Sequence, residues 1–439
     1  MMKPLHILIV AYDFPPVGGI GVSRASKFTR YLTESGCHVS VLTNAHGLGH
    51  TYDHELMRRD IPENVRITRL GGERLTSFHH HKAGKKNSRA RDWLLYCYNV
   101  AVNVDVYGEW YRSIKKHLSN IVQECAPDCV ITTSPPHSTH LIGYHLSKQF
   151  NIPWVMDIRD SMVDSVDGKK NITQILTRRS FSCWENRFSQ QADAIVTVSD
   201  PIATNMQQRH QFCDKSKFHT VFNGFDKSDF DTVVCHTENE HPAKLELCYA
   251  GTFLGNRQPD VFISAVNKLV ADGSVNPEDI KLLFLGNYDK ATKDAISQVN
   301  KEVELELPGF VPHAEALKRQ ARSHILLLIT AKENSRAAAE VMTGKVFEMM
   351  ALEKPVLALC HKGPLDDLIQ KTGIGQTAPP DNHKKVADRL LAYYLQWKKQ
   401  GRITIQANEP VISQYSRQRQ TRKILTIIER IVEHKKQKN

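Results

Sequence analysis

The chain alternates short apolar runs with longer amphipathic ones, and it does so twice. From His6 the order is a strand (Ile7 to Tyr12), a Pro-Gly loop (Asp13 to Gly21), a helix (Val22 to Ser35) that stops at Gly36, and a strand (His38 to Thr43). This is a βαβ unit, and parallel strands joined this way need covering helices. A helix from Tyr111 to Cys125, a strand at Cys129 to Thr132, a helix from Ser138 to Gln149 and a strand at Trp154 to Ile158 continue it. A helix from Gln174 to Gln191, a strand at Ala194 to Val198 and a short strand near His219 to Phe222 follow, with Ser199, Asp200 and Pro201 read as a cap and first turn between them. The alternation then restarts at Leu245 to Ala250 and runs to a helix over Asn382 to Gln396. Two sets of this size predict two Rossmann-like, doubly wound α/β domains facing across a cleft.

The polar, aperiodic stretch Asp226 to Ala243 reads as the linker. The expected division is residues 1–235, 236–400, and a C-terminal segment, 401–439, crossing back onto the first domain. Its helix, Ser413 to Lys435, carries an apolar stripe of Ile424, Leu425, Ile427, Ile428 and Ile431 that must pack on something. At 439 residues, 41% hydrophobic and 24% charged, the composition is that of a soluble two-domain enzyme. Apolar runs are too short to span a bilayer, and no leader-like segment is visible, so a cytoplasmic location is expected. The nine scattered cysteines suit reduced packing thiols, and no second pair at zinc spacing joins the closest two, Cys125 and Cys129, so no metal is expected. The net charge of +11 gathers between residues 74 and 91 (Lys82, Lys85, Lys86, Arg89, with His79 to His81) and in the final lysines. It is either a solvated loop and tail or an attraction to an anionic acceptor or to anionic lipid, about 1 kcal/mol per basic residue near a charged membrane. Nucleic acid is disfavoured, because no recognition motif accompanies the charge.

Two stretches promise chemistry. In Ala339 to Leu359, Glu340 and Glu348 flank a Gly344-Lys345 turn; a helix starting there would offer amide N–H groups to a phosphate, with Lys345 adding charge and Val346 following. In Pro15 to Arg24, glycines including Gly19 and Gly21 would let a phosphate or sugar approach the backbone. The run is no dinucleotide fingerprint, since Arg24 stands at the third glycine position, and no Walker loop.

With these stand Ser134-Pro-Pro-His-Ser-Thr-His140, Trp154-Val-Met-Asp-Ile-Arg-Asp160, Ala192-Asp-Ala-Ile-Val-Thr-Val-Ser199, Tyr249-Ala-Gly-Thr-Phe-Leu-Gly-Asn-Arg257 and Gly309-Phe-Val-Pro-His313. In this order, across nearly the whole chain, they resemble a glycosyltransferase of family 4 with the GT-B fold. The resemblance implies a retaining, metal-independent transferase without cofactor, taking a sugar from a nucleotide-sugar to a glycan or lipid-linked acceptor.

The same resemblance implies roles. Glu348 would hold a ribose diol and Glu340 the donor sugar, although either could simply complement a helix dipole. Arg257 would bind the diphosphate, unless it is a surface ion pair; Gly251, Thr252 and Gly344 would complete the donor site. Family members often carry a lysine five or six residues after that arginine. Phe262 and Ile263 stand there, so Lys345 becomes the second cation. His137 would face the donor sugar or β-phosphate. Asp157, Arg159 and Asp160, with Asp105 and Trp110, would line the acceptor side, although two acids around one arginine equally describe a buried ion-pair network. The alternatives of other classes are a catalytically silent binding protein of the same fold and a nucleotide-sugar epimerase. Peripheral attachment to the cytoplasmic face of the membrane is the expected way to reach a lipid-linked acceptor.

Overall fold

The computed structural model describes residues 3–18, 20–45, 52–71, 98, 102–164, 172–230, 242–253, 255–332 and 342–438. The basic stretch 74–91, Gly19 and Glu340 lie outside the described residues. The chain divides into two compact units, Met1–Asn223 with Arg417–Asn439, and Gly224–Ser416.

In the first unit, seven described strands form one parallel sheet: β1 (His6–Ala11), β2 (His38–Thr43), β3 (Arg66–Arg69), β4 (Cys129–Ser134), β5 (Trp154–Ile158), β6 (Ala194–Thr197) and β7 (Phe218–Thr220). Their order is β3-β2-β1-β4-β5-β6-β7. The described helices are α1 (Ile20–Glu34), α2 (His54–Asp60), α3 (Gly108–Ile114), α4 (Leu118–Cys125), α5 (His140–Phe150), α6 (Ile172–Gln191) and α7 (Asp200–Arg209). Alternate residues of β1 feed the two faces. Leu8 and Val10 join the core with Trp110, Trp154 and Phe188, while Ile7 and Ile9 join the core beneath α1.

The second unit repeats the pattern with β8 (Leu245–Ala250), α8 (Asp260–Ala271), β9 (Ile280–Leu285), α9 (Lys290–Ile296), β10 (Glu304–Gly309), α10 (His313–Arg322), β11 (Ile325–Ile329), α11 (Lys345–Ala351), β12 (Val356–Leu359), α12 (Pro364–Thr372), β13 (Gly375–Ala378), α13 (His383–Gln400) and α14 (Glu409–Ile412). Its strands run β10-β9-β8-β11-β12-β13, all parallel. Both sheets reverse their winding once, between β1 and β4 and between β8 and β11. Ligands of open α/β sheets bind beyond the carboxyl ends of the strands at such a reversal.

The units divide at Asn223, upstream of the polar stretch read as the linker. Asp226 is buried, Lys227–Asp229 forms a 3-10 turn, and Lys227 pairs with Glu353 at 2.6 Å within the second unit. The C-terminal helix α15 (Arg417–Lys438) belongs to the first unit. It starts later than its periodicity suggested, because Ser416 takes an extended conformation after a 3-10 turn over Ser413–Tyr415. Ile424, Ile427, Ile428 and Ile431 bury against the β1, β2 and α1 face. Ser199 precedes α7, but its side chain makes no capping hydrogen bond. Among the described residues no helix is long and apolar enough to cross a membrane.

Candidate active site

Beyond the carboxyl end of β8, the backbone turns through Gly251 at φ +142°, a conformation that disfavours side chains. The glycine also makes room, since a Cβ there would lie 2.0 Å from the Lys345 Nζ. Lys345 opens α11, and its ammonium sits over the Tyr249 ring, 4.8 Å from the centroid. That ring is itself buried and stacks on Phe253 at 4.0 Å. Burial and the like charge of Arg257 bring the Lys345 pKa down to about 8, while Glu348, one turn along α11, opposes the fall. The Tyr249 hydroxyl is pushed up to about 12 by burial, with Arg257 pulling the other way. Among the described residues, the Nε of Arg257 is buried without a hydrogen-bond acceptor.

Two half-buried cations therefore lie near each other at the sheet reversal, with one guanidinium donor unsatisfied among the described residues. Like charges in that setting repel, and a buried donor without a partner costs about 1–3 kcal/mol. A dianionic group would relieve both. Glu348 is half-buried, and Thr252 is exposed beside Gly251. Phe262 and Ile263 are core residues, so neither position offers a cation there.

The start of α11 differs from the sequence expectation. The Lys345 N–H reaches Thr343 Oγ1 at 3.4 Å, the Val346 N–H donates to Thr343 O at 3.3 Å, and the Phe347 N–H donates to Gly344 O at 3.2 Å. Gly344 already has helical backbone angles. The opening turn therefore already engages its own amides. The Val346 side chain is fully buried.

In the first unit, the Gly loop follows β1 and the Ser134-Pro-Pro-His turn follows β4, again at the sheet reversal. His137 is buried within a 3-10 turn, His137–Thr139, with Nδ1 3.2 Å from Ser134 Oγ and its ring edge-on to Phe181. Burial lowers its pKa to about 4, so it is a neutral imidazole at physiological pH. Asp105 braces this turn from another segment, accepting the Ser138 N–H at 3.0 Å and the Tyr107 N–H at 2.9 Å. Burial raises its pKa, and the backbone donors of Ser138, Tyr107 and His137 oppose the rise.

Several residues expected on the acceptor side have other tasks. Asp157 is fully buried; Arg24 grips both its oxygens, with contacts of 2.6 to 3.1 Å, and Thr133 donates a further bond at 2.8 Å. The partner is Arg24, not Arg159, so the ion-pair alternative holds with a different arginine. Arg159 donates to the carbonyls of Ser134, Gly21 and Pro135. Trp110 is 1% exposed and donates from Nε1 to Leu70 O at 2.8 Å, so it supports the site from behind. Asp160 is the exposed member of its motif, and Gly21 is exposed in the first turn of α1.

The family model described as "Glycosyl transferase 4-like domain" matches residues 18–224, and "Glycosyl transferases group 1" matches residues 236–410. The chain belongs to the glycosyltransferase 4-like family. Among curated proteins, the chain is 23% identical over 211 residues to a protein of Escherichia coli (strain K12) described as "Putative colanic acid biosynthesis glycosyltransferase WcaL"; the match covers 46% of this chain and 48% of that one. The chain thus matches about half the length of that relative. A solved glycosyltransferase from Rickettsia africae ESF-5 superposes with a TM-score of 0.61 at 17% identity, covering 98% of this chain and 99% of that one. A UDP-GlcNAc 2-epimerase from Neisseria meningitidis bound to UDP-GlcNAc reaches 0.51 at 13% identity, covering 97% and 100%. At these identities the likeness to solved structures shows the fold alone, which is GT-B, two α/β units with parallel sheets.

Sequence reading did not find Tyr249 as the seat of Lys345, nor Arg24 as the partner of Asp157. The pairs join positions 96 and 133 residues apart, and no local spacing encodes such a contact. The aromatic residue two places before the motif glycine was the available hint for the first.

Proposed function

We propose that this glycosyltransferase moves a sugar from a nucleoside-diphosphate sugar to a glycan or lipid-linked acceptor, with retention of anomeric configuration, in surface polysaccharide synthesis. The observation that carries the donor reading is Lys345, half-buried over the Tyr249 ring and against Gly251, with the like charge of Arg257 close by. A diphosphate leaving group gains negative charge as the glycosidic bond breaks, and fixed cations stabilise that charge more than the ground state. No metal is then required for neutralisation. Glu348 would bind the ribose diol and Glu340 the donor sugar. His137, neutral and buried, would offer a hydrogen bond on the first unit without adding charge there.

In the proposed step the bond from the anomeric carbon to the β-phosphate oxygen breaks while the acceptor oxygen bonds to that carbon on the same face. The acceptor proton passes to the departing phosphate oxygen, which avoids the need for a protein nucleophile. The name of the colanic acid relative supports a polysaccharide acceptor. Exposed basic residues on α15, among them Arg419, Arg422, Lys423, Lys436 and Lys438, support peripheral attachment to anionic lipid.

The test is a thermal-shift panel of nucleoside diphosphates and nucleotide-sugars, followed by transfer assays and NMR of the product anomer. A ligand at a hundred times its dissociation constant should stabilise by about 2.7 kcal/mol. R257A should abolish that stabilisation without unfolding the chain. An inverted product excludes the proposed step, and product formed from donor alone would favour an epimerase.

A further inference from the structure

The Asp157-Ile158-Arg159 run performs a mechanical task that the proposed roles leave out. Residues two apart along an extended chain point to one side. Here that side faces the start of α1: Asp157 holds Arg24 and Arg159 holds the carbonyl of Gly21, at 2.6 Å from Nη1. The same guanidinium donates from Nε to Ser134 O at 2.9 Å and from Nη2 to Pro135 O at 3.1 Å. All three donor nitrogens of one planar fork are thus used, on two segments that follow different strands.

The neighbours of this fork complete the arrangement. The earlier half of the Gly loop is fixed separately, since Arg69 donates to Pro15 O and Val17 bridges to Tyr52. Its later half, around Gly21, is tied by Arg159. On the Pro-Pro turn, Arg159 holds residues 134 and 135, while Asp105 accepts the N–H of Ser138. His137 lies between those two anchors. An ammonium could not replace the fork, because three carbonyls in different directions match the planar donor array of an arginine.

We propose that Arg159 is a positioning residue that locks the later Gly loop to the turn carrying His137, so that both are presented as one rigid surface. This deepens the glycosyltransfer reading and rests on it for its kinetic consequence, but the coupling itself is a property of the fold. Arg159 touches no reacting atom in this account. Its effect on transfer is geometric, and a displacement of about 1 Å at such a site is worth roughly a hundredfold in rate.

The experiment uses the full chain with R159A and R159K. Hydrogen exchange by mass spectrometry is read on peptides spanning 17–26 and 134–142. In R159A both should exchange at least about tenfold faster, together, while 14–17, β2 and the second unit keep wild-type rates. R159K should behave likewise, and it supplies the same reading if R159A does not fold. In transfer assays kcat should fall roughly a hundredfold, with nucleoside-diphosphate affinity changed far less, because Arg257 and Lys345 belong to the other unit. The proposal is overturned if one segment loosens without the other, if the whole first unit loosens uniformly, or if R159K restores wild-type exchange. Coupled exchange in a chain that shows no transfer upholds the clamp and rejects the glycosyltransfer reading. Robust transfer with unresponsive exchange rejects the clamp alone.

Discussion

Lys345 offers the sharpest quantitative test of the donor site. Its pKa falls from the ordinary 10.5 to about 8 through burial and the neighbouring Arg257. Such a fall corresponds to roughly 3 kcal/mol of penalty on holding the charge in the folded protein. In K345M the unbranched stem persists and the charge disappears. The ring contact with Tyr249 loses its cationic part, worth about 1 kcal/mol, and partial exposure screens some of the penalty. The ligand-free K345M protein should therefore be more stable than wild type, by about 1–2 kcal/mol, or several degrees in melting temperature for a unit of this size. Stabilisation by a nucleoside diphosphate should shrink or vanish in the same variant.

The sign with pH follows from proton counting. Below about pH 8 lysine is charged in both folded and unfolded chains, so the full penalty is present and constant. Between about 8 and 10.5 the unfolded chain keeps its proton and the folded one releases it, so wild-type stability rises with pH relative to K345M. The gap between the two melting curves should be flat from pH 6 to 8 and close above that. Differential scanning calorimetry from pH 6 to 10, with and without ligand, measures it. A K345M protein less stable than wild type throughout, or a gap indifferent to pH, would refute the reasoning. So would undiminished ligand stabilisation in K345M.

Three further outcomes are expected. G251A places a methyl group 2.0 Å from the Lys345 Nζ, at φ +142°, so it should displace the ammonium and weaken nucleoside-diphosphate binding roughly ten- to a hundredfold by calorimetry while the chain stays folded. R24M strands the carboxylate of Asp157 in the interior and should cost about 3–5 kcal/mol in urea denaturation, with the double variant R24M/D157L recovering a large part; equal losses in both would show that packing, not charge, is at stake. Transfer should continue undiminished in EDTA, since two side chains carry the positive charge, and a rate restored only by added Mg²⁺ or Mn²⁺ would contradict this.

Strands β1, β2, β4, β5, β8, β9, β11 and β12 were legible because each is a run of apolar residues buried on both faces, and burial of that kind leaves a local signature. The edge strands β3 and β13 were not. Arg66-Ile-Thr-Arg69 and Gly375-Gln-Thr-Ala378 are short and polar, and they are strands because β2 and β12 pair with them. The helix expected over Tyr111 to Cys125 is likewise two helices, α3 and α4, joined by a 3-10 turn at Lys115–His117.

Sequence by itself determined the double α/β alternation, the apolar stripe of the last helix, and the motifs that carry the family resemblance. Periodicity and turn chemistry act over a few residues, so they can be read one segment at a time. Only the tertiary structure decided which side chains meet. It gave Asp157 to Arg24, set Arg159 across three carbonyls, and laid Lys345 on Tyr249 beside Arg257. These contacts depend on which strands become neighbours at a sheet reversal, and charge pairing across such separations has no period to betray it.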